Sequence, residues 1–275
     1  MRFYTRNDIS EFGNIRFLNI KAMVDGPVFR ITLNRPEKRN AFTPAMACEI
    51  TFALAYAHYT SDIRCVILNA VGPVFCAGAD LDAFHNPGAY PGNPAIPAPA
   101  APITLGVAFA ELHKPCIAQV EGPVFAGGFL LIGGATFVVS SREVTFSLPE
   151  VKRGIWPMQV MASLVKIMPL RKVLEFAITG RVYSAEEALE MGLITHISTR
   201  EDIVNEVEKL AAIICENAPY AIQAGMEALY QLSDIPERDR HAYLKDQLDK
   251  ILKSEDSVEG ILAFREKRKP VWKGR

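Results

Sequence analysis

Long hydrophobic runs are absent from this chain. Residues 124–139 are apolar, but Gly127, Gly128, Gly133 and Gly134 interrupt them. The stretch also falls short of the roughly 20 residues that a bilayer-spanning helix needs. A buried helix and strand account for it, and no membrane segment is expected. The first eight residues carry no apolar core of the signal-peptide kind. An excess of one charge is missing too: 30 Lys+Arg stand against 31 Asp+Glu, for a net −1. That balance gives no support for a broad nucleic-acid-binding surface. Cysteine is scarce. Cys48, Cys65, Cys76, Cys116 and Cys215 form no CxxC pair and lie mostly in apolar runs, so they read as buried free thiols of a cytoplasmic chain. No glycine-rich phosphate loop with a following Lys-Ser/Thr is present, nor a dinucleotide fingerprint. His85 and His113 have no nucleophile or metal-ligand partner at a telling spacing. Neither a metal nor a redox cofactor is expected.

What is present is a chain of 275 residues, 49% hydrophobic, enough for one large domain or a domain with a smaller attachment. Residues 16–22 and 28–33 read as two short strands around an Asp25-Gly26-Pro27 turn. Thr43 and Pro44 are an N-cap and first helical residue, opening a helix to about Tyr59. The apolar runs 65–69, 115–120 and 136–139 are strands of the buried, parallel kind. Alternating strand and helix predicts βαβ units in an α/β fold. After about Met158 helical patterns take over. Ser184 and Glu187 make a capping box, and residues 201–215, 218–231, 238–253 and 256–267 read as amphipathic helices. The expected division is a core over residues 1–200 and a helical region over 201–275. Residues 85–102 are dense in Pro, Gly and Ala and predict a long loop of the lid type.

Two turns share one physical logic. Residues 73–81 follow the 65–69 strand and residues 122–130 follow the 115–120 strand, each entering a helix through small residues. Small residues let a ligand approach the backbone, and a helix start leaves N–H groups unpaired. Side by side, two such turns would aim two amides at one developing oxyanion. For either turn taken alone, tight strand–helix packing is the better explanation. A candidate acid follows in Leu148-Pro149-Glu150-Val151: a carboxyl in apolar surroundings exchanges protons nearer neutrality than an exposed one. An ordinary exposed glutamate at a strand end is the alternative.

In order along the chain stand ITLNRPEKRNAF (31–42), FCAGADL (75–81), GPVFAGG (122–128), FSLPE (146–150) and LEFAITG (174–180), then Ala185-Glu186-Glu187-Ala188 and Gly192-Leu193. With these segments the sequence resembles the crotonase (enoyl-CoA hydratase/isomerase) superfamily over nearly its whole length. The resemblance implies a ββα spiral core with a helical C-terminal region that trimerises and covers the site. It implies an acyl-CoA thioester as substrate, with coenzyme A part of that substrate rather than a cofactor, and a homotrimer or dimer of trimers. Carried over by position, the backbone N–H groups of Ala79 and Gly127 hold the thioester oxygen and Glu150 moves the proton. The coenzyme A site falls on Lys38, Arg39 and Ala41 and on the backbone of Ala77, Asp80 and Leu81. Lys38 and Arg39 are placed to meet phosphates; Asp80 also reads as the N-cap of the helix after it.

One departure matters. The first of the two glutamates of the hydratases falls at Leu130, and leucine neither binds water nor moves a proton. Residues 126–130 are similar to the Δ3,Δ2-enoyl-CoA isomerases, which work with one glutamate, and that resemblance implies enoyl-CoA double-bond isomerisation as the expected reaction. A one-glutamate hydratase or hydratase/lyase is the alternative, and an inactive acyl-CoA-binding protein is the alternative of another class. Glu121, beside the second turn, is a candidate replacement acid. Arg153 and Trp156 are expected near the acyl pocket, with the proline-rich loop over it.

Overall fold

The computed structural model describes the backbone of residues 1–275 and every side chain except those of Phe84 and Pro87. Nine strands run β1 (Ile20–Asp25), β2 (Val28–Leu33), β3 (Cys65–Ala70), β4 (Cys116–Val120), β5 (Val124–Phe125), β6 (Phe137–Ser141), β7 (Phe146–Ser147), β8 (Val182–Tyr183) and β9 (His196–Ser198). The main sheet has the order β1-β2-β3-β4-β6-β9. Its β1–β2 hairpin is antiparallel and the other pairings are parallel. The hairpin closes at Gly26, whose φ of +55° suits a glycine.

β3 shows why the sheet is covered on both faces. Its first four residues are all buried. Val66 and Leu68 enter the main core with Met46, Ile50 and Phe129. Cys65 and Ile67 point the other way, against Val207, Ala211 and Ile214 of helix Ile203–Glu216. Alternate side chains of one strand thus serve two cores, as the two-residue period of a strand dictates. The expected helix starts where its cap predicted: Thr43 Oγ1 accepts the Met46 N–H at 3.1 Å, and the helix spans Pro44–Tyr59. The Ser184–Glu187 capping box also forms.

The small sheet, β5-β7-β8, sets up the site. Two isolated parallel bridges join its neighbourhood, Cys76 with Val124 and Phe42 with Ala79. Three segments that carry the candidate residues are thereby laid side by side: 76–79, 124–127 and the stretch that leaves β7 for Glu150. Asn40, fully buried, locks the approach. Its Oδ1 accepts the Arg35 N–H and its Nδ2 donates to the Val71 and Val74 carbonyls, each at 2.8 Å. Its φ of 53° is one that asparagine tolerates better than most residues. Asn40→Ala would orphan one buried donor and two partly buried acceptors. It is expected to lower stability by about 3 kcal/mol in urea unfolding.

Several expectations need correction. The first strand is Ile20–Asp25, shifted from residues 16–22. Strands do not stop after Met158: β8 and β9 follow, and β9 pairs with β6 to extend the main sheet. They are two and three residues long, too short for periodicity to register. The 85–102 segment contains a 3-10 turn, Pro87–Ala89, and otherwise binds the N-terminal part of the chain. Ala100 N–H donates to Phe3 O, and Asn93 Nδ2 donates to Arg16 O and to Glu49 Oε1.

Candidate active site

The two turns meet as expected. Ala77 N–H donates to Arg39 O, Phe42 N–H to Gly78 O, Asp80 N–H to Phe42 O and Phe125 N–H to Cys76 O, all at 2.9–3.0 Å. Gly78 has φ +96°, and a Cβ on it would lie 2.7 Å from Ala126 Cβ and 2.9 Å from the Gly127 nitrogen. Only glycine permits that contact. A Cβ on Gly127 would lie 3.2 Å from the Ala79 nitrogen, so the two amides border one small space. Ala79 N–H has no backbone acceptor among the described residues. Gly127 sits in the first turn of the 3-10 segment Ala126–Gly128, where an N–H has no preceding turn to bond. Ala126, just before it, holds φ 51°, a strained value for an alanine.

Both turns open into a cavity of about 300 Å³ whose lining includes Phe42, Ala77, Ala79, Leu81, Gly127, Leu130, Glu150, Arg153 and Trp156. Glu150 reaches it because β7 ends at Ser147 and Pro149 starts a short 3-10 helix, Pro149–Arg153. The Glu150 oxygen Oε2 is buried with no hydrogen-bond partner among the described residues. Burial raises the pKa of this carboxyl above the ordinary glutamate range; its own backbone N–H and the Arg153 charge offset the rise only in part. A half-buried carboxyl with a raised pKa and a free oxygen is suited to taking and returning a proton. Two unpaired amides across the cavity are suited to holding a developing oxyanion.

The other expected residues fall as follows. Asp80 Oδ1 accepts the Ala83 N–H, so it caps helix Leu81–His85. Its second oxygen accepts from the Arg35 guanidinium at 2.7 Å. Burial alone would lift the Asp80 pKa, but Arg35 and the cap hold it below the usual range. Lys38 and Arg39 are exposed on the 36–41 turn and Ala41 is half-buried; none of the three lines the cavity. Glu121 lies outside it as well. Its carboxylate accepts from Gln119 Nε2 at 2.6 Å and its carbonyl from Arg200, so it does not stand in for the missing first glutamate. Leu130 is buried and lines the cavity. Nothing from the described part of residues 83–104 lines it, which corrects the expected placement of the proline-rich loop. All five cysteines are free. Among the described residues no cluster suits a metal ion, and no helix is long and apolar enough to cross a membrane.

A model of the enoyl-CoA hydratase/isomerase family matches residues 24–275. The chain belongs to this family. It is 36% identical over 270 residues to a carnitinyl-CoA dehydratase of Salmonella paratyphi A, covering 91% of this chain and 97% of the relative. The enoyl-CoA hydratase structure from Mycobacterium tuberculosis H37Rv superposes with a TM-score of 0.82 at 29% identity, over 94% of this chain and 99% of that one. A probable enoyl-CoA hydratase/isomerase from Mycobacterium abscessus gives 0.81 at 32% identity, over 94% and 99%. The α/β architecture with C-terminal helices is thus the crotonase fold. Within this enoyl-CoA hydratase/isomerase family member, reading the sequence residue by residue assigned no role to Arg35 or Phe42. Arg35 was visible as a charge at a strand end, but its buried partner is 45 residues away. Phe42 was visible only as the last letter of a motif, although its backbone ties down the Ala79 turn and its ring abuts Gly127.

Proposed function

We propose that this protein isomerises the double bond of an enoyl-CoA thioester with one carboxyl group. The observation that carries the reading is the cavity itself: Glu150 is the only carboxylate side chain among its described lining residues, and Leu130 occupies another part of the wall. In a 3-enoyl-CoA, the Glu150 carboxylate takes a proton from the α carbon. The electrons pass into the thioester carbonyl, whose oxygen is held by the Ala79 and Gly127 N–H groups. Protonated Glu150 then returns the proton to the γ carbon, and the conjugated 2-enoyl thioester results. A second cavity of about 350 Å³ shares Leu130 and Gln159 with the first and offers room for an acyl chain. Lys38, Arg39 and Ala41, with the 77–81 backbone, would hold the coenzyme A moiety. A trimeric assembly is part of the proposal, supported by exposed Leu248, Val258 and Phe264 on the last two helices and Leu252 between them.

A second reading, dehydration of a 3-hydroxyacyl-CoA through the same enolate, is favoured by the relatives named carnitinyl-CoA dehydratase. Here Glu150 would take the α proton and return it to the departing hydroxyl. A side-by-side assay separates the two. The conjugated thioester absorbance is followed with a 3-enoyl-CoA, with crotonyl-CoA and with 3-hydroxybutyryl-CoA. The expected result is a rise with the first and little change with the other two. Loss of absorbance with crotonyl-CoA, or a rise with 3-hydroxybutyryl-CoA, would establish the second reading instead.

A further inference from the structure

We propose that Arg35 is a positioning residue for the Ala79 amide, acting through Asp80 and Ala41; the inference rests on the oxyanion role given to Ala79 above. The Arg35 and Asp80 side chains are 9% and 10% exposed. One guanidinium nitrogen, Nη1, donates to Asp80 Oδ2 and to the Ala41 carbonyl, each at 2.7 Å. Arg35 therefore ties the 36–41 turn to the 77–81 turn from within. Phe42 lies between the two anchor points, and its N–H and carbonyl bond Gly78 O and Asp80 N–H. Ala79 is bracketed by those two bonds, and its own N–H is the donor left over.

A buried ion pair is a poor way to add stability, since an apolar pair of similar volume often does as well. What it supplies here is a fixed geometry. An amide aimed at an oxyanion contributes most when charge has developed on the oxygen, so small misorientation costs the enolate more than the ground-state thioester. The Tyr90 ring stands 5.7 Å from the Arg35 guanidinium, bringing the proline-rich segment against the outer side of the same arginine. That segment thus touches the site through Arg35 rather than by roofing the cavity.

The test uses acetoacetyl-CoA, whose enolate absorbs in the near ultraviolet, bound to the full-length protein. Arg35→Met, Arg35→Lys, Asp80→Asn and the Arg35→Met/Asp80→Asn double variant are compared with wild type well below their melting temperatures. Wild type is expected to raise the enolate fraction of the bound ligand. Arg35→Met and Asp80→Asn should each lower it about tenfold, and the double variant should fall no further, because both act through one contact. Arg35→Lys, with charge but no fork, should recover part of the loss. Affinity for butyryl-CoA should fall by less than the enolate fraction does in every folded variant, and kcat should fall more than KM rises. A merely structural arginine would lower the melting temperature and leave the enolate fraction untouched, and that result overturns the inference. Wild type that binds acetoacetyl-CoA without raising its enolate would instead overturn the oxyanion reading of Ala79, and the inference with it. If Arg35→Met fails to fold, Asp80→Asn and Arg35→Lys carry the same comparison.

Discussion

Glu150→Gln is expected to lower turnover by about 10³-fold, in the range that a positioned acid/base supplies, while acyl-CoA affinity changes little. Glutamine keeps the shape of the side chain and cannot accept the proton. The pH dependence follows from the direction of the shift. Burial raises the Glu150 pKa, and the carboxylate form is the one that takes the α proton. The acidic limb of kcat/KM should therefore be centred above the ordinary glutamate value, with activity lost as pH falls through it. The same burial makes the ionised carboxylate a cost to the fold above that pKa, a cost absent where the group is protonated. Glu150→Gln should then be slightly more stable than wild type at neutral pH and no different at low pH. Full turnover in the variant would remove Glu150 from the mechanism.

Gly127→Val should cost at least about 10²–10³-fold in kcat/KM, the loss typical of removing a single oxyanion donor. A Cβ at this position would fall 3.0 Å from Phe42 Cε1 and 3.2 Å from the Ala79 nitrogen. The branched side chain would occupy the space into which both amides open. Gly127 does not have a positive φ, so the change acts through that space rather than through backbone strain. Steady-state kinetics with a melting curve checks it: activity falls far more than stability. Valine tolerated with ordinary turnover would mean that the thioester oxygen binds elsewhere.

The local signals in the sequence were good guides where chemistry and geometry are short-range. Thr43-Pro44 and the Ser184–Glu187 box named their helix starts because a cap needs only its own first turn. The buried strands 65–69 and 115–120 were legible as apolar runs between turn residues. Ala79, Gly127 and Glu150 were found through motif resemblance, and the small sheet with its two bridges explains why residues so far apart in sequence share a cavity. What stayed hidden depends on long-range contact. The Arg35–Asp80 pair, the three bonds of Asn40 and the docking of residues 93–100 on the N-terminal segment have no local pattern. β8 and β9 exist because existing strands offer them an edge, and not from their own two or three residues.

The most direct test of the central claim is removal of hydrogen from the α carbon. A 3-butenoyl-CoA carrying deuterium at the α carbon is incubated with wild type and with Glu150→Gln and followed by mass spectrometry and NMR. If Glu150 moves the α hydrogen beneath the Ala79 and Gly127 amides, wild type removes deuterium from the α carbon, whether it reaches the γ carbon or the solvent, and the variant does so about 10³-fold more slowly. Equal loss of α deuterium in the two proteins, or none in wild type, would contradict the account.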